Sequence, residues 1–320
     1  MRHVRHLVLS ALLAVGQASR PVAGDADALA RTVQLDSEGR LVEATEALQT
    51  ALAIREQTEP MDARALARTL NDLGVAYRLQ NRLEDAARLY GRALQILRTQ
   101  ARGGEHDRLM AAVLHNLGRV QEAQGRRKSA EQLLRESIRE REECCGSDDP
   151  DLAASLESLA GILQSRGRLD DAERLLQRAN EIERHNFPPG HVRIALGMNA
   201  MAALEAARKH YANAEQLLRS AVEIVEHSEP LNDPVLGETL GNLATSYWLE
   251  HKLEESEQAY QRATEILMRT WGPSDGRLVA WMERYAAVLR ARQDFAEAER
   301  VEMRAMKIRV TSALRAPAER

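Results

Sequence analysis

The sequence predicts an all-α protein built as an array of about seven helix–turn–helix units. Three observations carry that prediction: a self-similarity of 42 residues, two columns of small residues spaced by two helical turns, and a composition of helix formers. Ala, Leu, Glu, Arg and Gln dominate the 320 residues, with only 18 Gly, 9 Pro and 3% aromatic residues. One large core would be poorly filled by so few rings, whereas a stack of small Ala/Leu interfaces needs none.

The N-terminus reads as an export signal. Arg2 and Arg5 precede the apolar stretch Leu7–Val15, and the small residues Val22-Ala23-Gly24 follow, the order expected of a secretory leader over residues 1–24. Nine residues, interrupted by Ser10, are too few to span a bilayer. Cleavage after Gly24 removes Arg2, Arg5 and Arg20 and takes the formal charge from −4 to −7. The expected location is therefore exported, periplasmic or secreted, or cytoplasmic if the leader is not a signal. The 40 Arg against 4 Lys point to a GC-rich, bacterial coding sequence.

The repeats then occupy residues 25–310. Aligning Leu114-His115-Asn116-Leu117-Gly118 with Leu156-Glu157-Ser158-Leu159-Ala160 and Leu240-Gly241-Asn242-Leu243-Ala244 places units near 28, 70, 114, 156, 198, 240 and 282. Sixteen residues into each unit stand Ala44, Ala86, Ala130, Ala172, Ala214, Ser256 and Ala298. Seven further on come Ala51, Ala93, Ser137, Ala179, Ala221, Ala263 and Ala305. Seven residues are two helical turns, so both columns share one face of the second helix and let backbones approach closely. Ile54, Ile96, Ile182, Ile224, Ile266 and Ile308 form a third column, broken by Glu140.

Turns within the units fall at Gly39, Asn81, Gly125 and Gly167, where a left-handed residue ends the first helix at little cost. Lys209, His251 and Gln293 replace them later and predict costlier turns. Connections between units carry Gly146–Pro150, Phe187–Gly190, Glu229–Pro234 and Trp271–Asp275, with Asp149 and Asp233 before Pro as helix starts. Residues 311–320 read as a flexible tail. Adjacent Cys144 and Cys145 read as poor partners for each other, hence as two thiols or a link between chains.

Leu70-Asn71-Asp72-Leu73-Gly74, Asn81 through Ala86 and Arg92 through Ile96 together resemble tetratricopeptide repeats, and the 42-residue step with its Gly/Asp/Pro linkers resembles the kinesin-light-chain subtype. The resemblance implies a right-handed α-solenoid, a superhelix whose first helices line a concave groove. It also implies binding through a few positions of those helices. By register they include Asn71, Arg78, His115, Arg119, Asn199, Thr245 and Trp248, with Asn116 and Asn242 beside them. Arg68, Arg78, His115 and Arg119 form a candidate basic pocket for carboxylates, unless Asp72 and Glu122 balance them. Trp248 is either an interface anchor or packing against a neighbouring unit, and Tyr77 and Tyr247 are expected in the core.

No constellation of catalytic, metal-ligating or phosphate-cradling residues is present, so no enzyme, metal site or cofactor is expected. Acidic and basic residues are interspersed, which argues against nucleic acid. The expected function is a non-catalytic scaffold for a protein or extended peptide partner. The alternative is a structural array that self-associates end to end.

Overall fold

The computed structural model describes residues 41–57, 62–100, 107–228 and 233–315. The leader expected over residues 1–24, the start of the first unit at 28 and the turn at Gly39 lie outside the described residues.

Thirteen helices follow one another among the described residues: α1 (Leu41–Gln57), α2 (Ala63–Leu79), α3 (Leu83–Gln100), α4 (Arg108–Ala123), α5 (Arg127–Cys145), α6 (Pro150–Ser165), α7 (Leu169–Asn186), α8 (Val192–Ala207), α9 (Tyr211–Glu226), α10 (Asp233–Leu249), α11 (Leu253–Trp271), α12 (Leu278–Ala291) and α13 (Phe295–Arg315). The fold is all-α, and consecutive helices pair antiparallel across short turns. The helices divide into two compact units at Ile162/Leu163, inside α6. The sequence pattern predicts one continuous array; a stack in which repeats touch chiefly their neighbours has no single centre, so it clusters by locality.

In the first unit α2 packs on α3 and α4 on α5, while α3 also packs on α4 and α2 touches α4. Leu66, Leu70, Leu73, Tyr90, Leu94, Met110 and Leu114 fill the core between them. In the second unit α8 pairs with α9, α10 with α11 and α12 with α13, around Leu218, Leu236, Leu240, Tyr247 and Tyr260. Leu267, Leu278, Met282, Ala305 and Ile308 make a smaller cluster towards α13.

The small columns are fully used. Every residue of both is 2% exposed or less. The two serines among them keep their hydroxyls satisfied by first-helix carbonyls: Ser137 Oγ donates to the Ala111 carbonyl and Ser256 Oγ to that of Ala244, both at 2.8 Å. Serine therefore fits where alanine does. Helix starts follow the expected chemistry. Asp62, Asp107 and Asp149 each accept a backbone N–H from the first turn of α2, α4 and α6. The unit anchors at 70, 114 and 156 fall in mid-helix, because each first helix starts several residues earlier at its cap.

Each within-repeat turn of the described residues passes through one left-handed residue. Gly125 and Gly167 adopt φ 75°, Asn81 60°, Lys209 66°, His251 62° and Gln293 68°. A non-glycine residue there costs about 1–2 kcal/mol, partly offset because glycine loses more freedom on folding. Replacing Lys209, His251 and Gln293 by Gly is expected to stabilise the protein by about 1 kcal/mol each or slightly less. Urea unfolding of the single and triple variants checks this, and an unchanged midpoint in all of them refutes the strain.

Two expectations are corrected. The tail predicted from Thr311 is shorter, since α13 continues to Arg315. Ala313, Leu314 and Arg315 are helix formers, and the first strong breaker is Pro317. Cys144 and Cys145, read as separate thiols or a link between chains, are joined to each other by a disulfide at the end of α5. Both are half-buried there, with Arg108 Nε 3.4 Å from Cys145 Sγ.

Candidate functional site

The predicted groove residues gather on first helices, four of which present them in two separate groups. In the first unit, α2 carries Arg68, Asn71 and Arg78, and the neighbouring α4 carries His115, Asn116 and Arg119. In the second unit, α8 carries Asn199 while α10 carries Asn242, Thr245 and Trp248.

Several of these side chains are tied sideways and do not stand free. Asn71 is only 2% exposed; its Nδ2 donates to Asp72 Oδ1 at 3.2 Å, and its Oδ1 accepts from Asn116 Nδ2 at 3.0 Å. His115 Nδ1 lies 3.1 Å from Ser155 Oγ on α6. Asn199 Nδ2 donates to Thr239 Oγ1 on α10 at 2.7 Å. Thr245 Oγ1 lies 2.7 Å from the hydroxyl of Tyr260 and donates to the Gly241 carbonyl. Asn71, His115 and Asn199 thus stitch one repeat to the next, while Thr245 ties the two helices of its own repeat. Trp248 is half-buried and packs against the second unit's core, and Tyr77 and Tyr247 are buried as expected. Both tyrosine hydroxyls are used: Gln49 Nε2 donates to that of Tyr77 and Arg219 Nε to that of Tyr247.

The basic group of the first unit keeps its acids close. Burial pushes Asp72 up to about 7, against the pull of the Asn71 hydrogen bond and of Arg68 and Arg55. Burial also raises Glu122, opposed by Arg119 and Arg127. Asp72 and Glu122 therefore do stand among these arginines. With its pKa near 7, Asp72 carries only part of a negative charge at neutral pH. The phenol of Tyr90 lies beneath, raised by burial and felt by Arg78, Arg119 and Asp72 alike. Arg119 is exposed, and Arg68, Arg78 and His115 are half-buried. This patch can offer guanidinium donors to a carboxylate beside the half-buried amide of Asn116.

Trp281 is a residue the repeat pattern did not single out. It lies over Gly241, the groove position of α10, where an added Cβ would come within 2.3 Å of its ring. Its signal was the glycine itself: a groove column otherwise filled by Asn, His and Glu goes empty where the next repeat supplies a Trp. Among the described residues no group of His, Cys, Asp or Glu could hold a metal ion, and no helix is long and apolar enough to cross a membrane.

Comparison with known proteins bears on the fold. A family model described as MalT-like TPR region matches residues 28–232, and one described as Tetratricopeptide repeat matches residues 235–309. The chain is similar to a Rap protein solved in complex with Competence and Sporulation Factor, at 12% identity over 98% of this chain and 99% of that one, with a TM-score of 0.66. It is also similar to BtubC (BKLC) from P. vanneervenii, at 19% identity over 73% and 92% of the two chains, TM-score 0.56. A kinesin light chain structure from Podosopora anserina with nearly identical TPR-like repeats matches at 21% identity over 66% and 99%, TM-score 0.50. No curated protein matches in sequence.

Proposed function

Because the chain belongs to the MalT-like TPR family of tetratricopeptide repeat proteins, we propose that it is a non-catalytic scaffold that holds a protein or extended peptide on its first helices. Both matched families are repeat families and neither is a catalytic domain. The observation that carries the reading is the α2/α4 face, where Arg68, Arg78 and Arg119 lie beside the Asn71–Asn116 pair. Three arginines on one face favour a ligand with carboxylates, because planar guanidinium forks bind these with directional, paired hydrogen bonds. A Rap protein of similar fold was solved with Competence and Sporulation Factor bound, which supports binding as a use of this architecture but not any one ligand.

Selection of linear peptides from a displayed library against the full chain tests the proposal. Enriched peptides are expected to carry Asp, Glu or a free C-terminus. Arg119→Glu should weaken them at least about tenfold, about 1.4 kcal/mol, while Arg135→Glu on the exposed face of α5 leaves binding unchanged. No enrichment, or equal loss in both variants, rejects the α2/α4 face as the site.

A further inference from the structure

The second helices of the array each have an outer register that the next repeat covers. Leu94 on α3 and Val222 on α9 are 6% and 9% exposed, in core clusters that include Leu114 of α4 and Leu240 of α10 respectively. Thr264 on α11, at 5%, belongs to the same register. In α13 that register holds Met306, and it is 67% exposed. Two flanking registers deviate as well. Met303 corresponds to Gly91, Arg135, Gln177, Arg219 and Gln261 in earlier second helices, yet it is apolar and 65% exposed. Val310, 53% exposed, stands where Arg98, Glu142, Arg184 and Glu226 stood in earlier repeats and where α11 carries the half-buried Met268.

Met303, Met306 and Val310 are spaced three and four residues apart, which is one stripe of a helix. Met306 continues a register that is apolar and covered in α3 and α9, and Met303 adds an apolar side chain where those helices carry Gly91 and Arg219. With Val310 they make an apolar face suited to contact, and unbranched Met adapts to varied partners. Beside it Arg304 and Lys307 are exposed. In earlier repeats α3, α9 and α11 each pack against the first helix of the following repeat. We propose that α13 docks an amphipathic helix of another polypeptide, seated as the first helix of a further repeat would be. That helix presents apolar residues at i, i+3, i+4 and i+7, with acidic residues facing Arg304 and Lys307.

The chain contains a helix of this chemistry to use as a probe. The segment Asp233–Leu249 docks through Leu236 and Leu240 on α9, carries Asp233 and Glu238, and has no Lys or Arg. A labelled synthetic peptide of that sequence, titrated into the full-length protein, is expected to bind, and binding should weaken as salt rises. Met303→Glu/Met306→Glu should reduce affinity at least tenfold and Lys307→Glu severalfold, with the far-UV circular dichroism of the protein unchanged. An isolated peptide this short is a marginal helix. The same segment is therefore also joined to the C-terminus by a flexible linker, where docking raises the thermal midpoint and the Met303→Glu/Met306→Glu variant abolishes the rise. The proposal is overturned if neither format responds to the α13 variants. It is equally overturned if sedimentation shows the protein alone forming dimers or longer species that those variants dissolve, since the occupant is then a second copy.

Discussion

Arg193→Ala is expected to cost about 3–5 kcal/mol of stability, the largest loss from any single side chain considered in the second unit. Glu183 on α7 has a side chain only 1% exposed, and the Arg193 guanidinium from the first turn of α8 lies 3.1 Å from its Oε1. The attraction of the pair roughly offsets what both charges lose by leaving water. Deleting the arginine removes the attraction and keeps most of the carboxylate's desolvation cost. Gly197, one turn along α8, is part of the same arrangement. A Cβ there would come within 2.3 Å of Glu183 Oε2 and 2.5 Å of Asn180 Oδ1, so the missing side chain is what leaves room for the acid. The double replacement Glu183→Leu/Arg193→Met should recover most of the loss, because an apolar pair of similar volume carries no charge to desolvate. Urea unfolding of the three proteins decides the matter. If Arg193→Ala unfolds within about 1 kcal/mol of the parent, the pair is solvated in practice and the argument fails.

That pair also shows where the sequence stopped being legible. Gly197–Ala207 reads as a run of small residues and predicts a smooth groove, and nothing in its periodicity points to an acid arriving from α7. Periodicity reports which residues share a face of their own helix. It found the small columns, Tyr77 and Tyr247, and even the turns at Lys209, His251 and Gln293, where the residue type gave no help and only the 42-residue step placed them. All of these follow from one helix's geometry or from its nearest partner. The ties Asn71–Asn116, His115–Ser155 and Asn199–Thr239 depend instead on the offset between first helices of adjacent repeats. That offset is set by how the small columns seat. So the register selected the candidate site residues, but not which of them would turn sideways to hold the stack. The disulfide at Cys144 and Cys145 lay beyond it too, since neighbouring side chains on a helix are not expected to meet.

Gly241 yields the second large expected effect, and here two principles oppose each other. Helix propensity favours Ala over Gly in mid-helix by about 0.8–1.0 kcal/mol, so Gly241→Ala ought to stabilise α10. Packing says otherwise. The new Cβ would meet three ring carbons of Trp281 at 2.3, 2.6 and 3.0 Å, and a ring cannot yield as a flexible chain end does. Either the ring leaves its place or α10 and α12 move apart, and overpacking of that kind costs about 1–3 kcal/mol, more for Val than for Ala. The clash is therefore expected to win, with a net loss of about 1–2 kcal/mol for Gly241→Ala and a larger one for Gly241→Val. Gly91→Ala in α3 isolates the propensity term, because an added Cβ there meets nothing within 4 Å, and it should stabilise. The discriminating variant is Gly241→Ala/Trp281→Leu. Removing the ring relieves the clash, so the second substitution should cost less in the Gly241→Ala background than in the parent, a positive coupling that a thermodynamic cycle reads directly. If the two substitutions prove additive, Trp281 does not rest on Gly241, and the lateral packing of α12 on α10 is held by other residues.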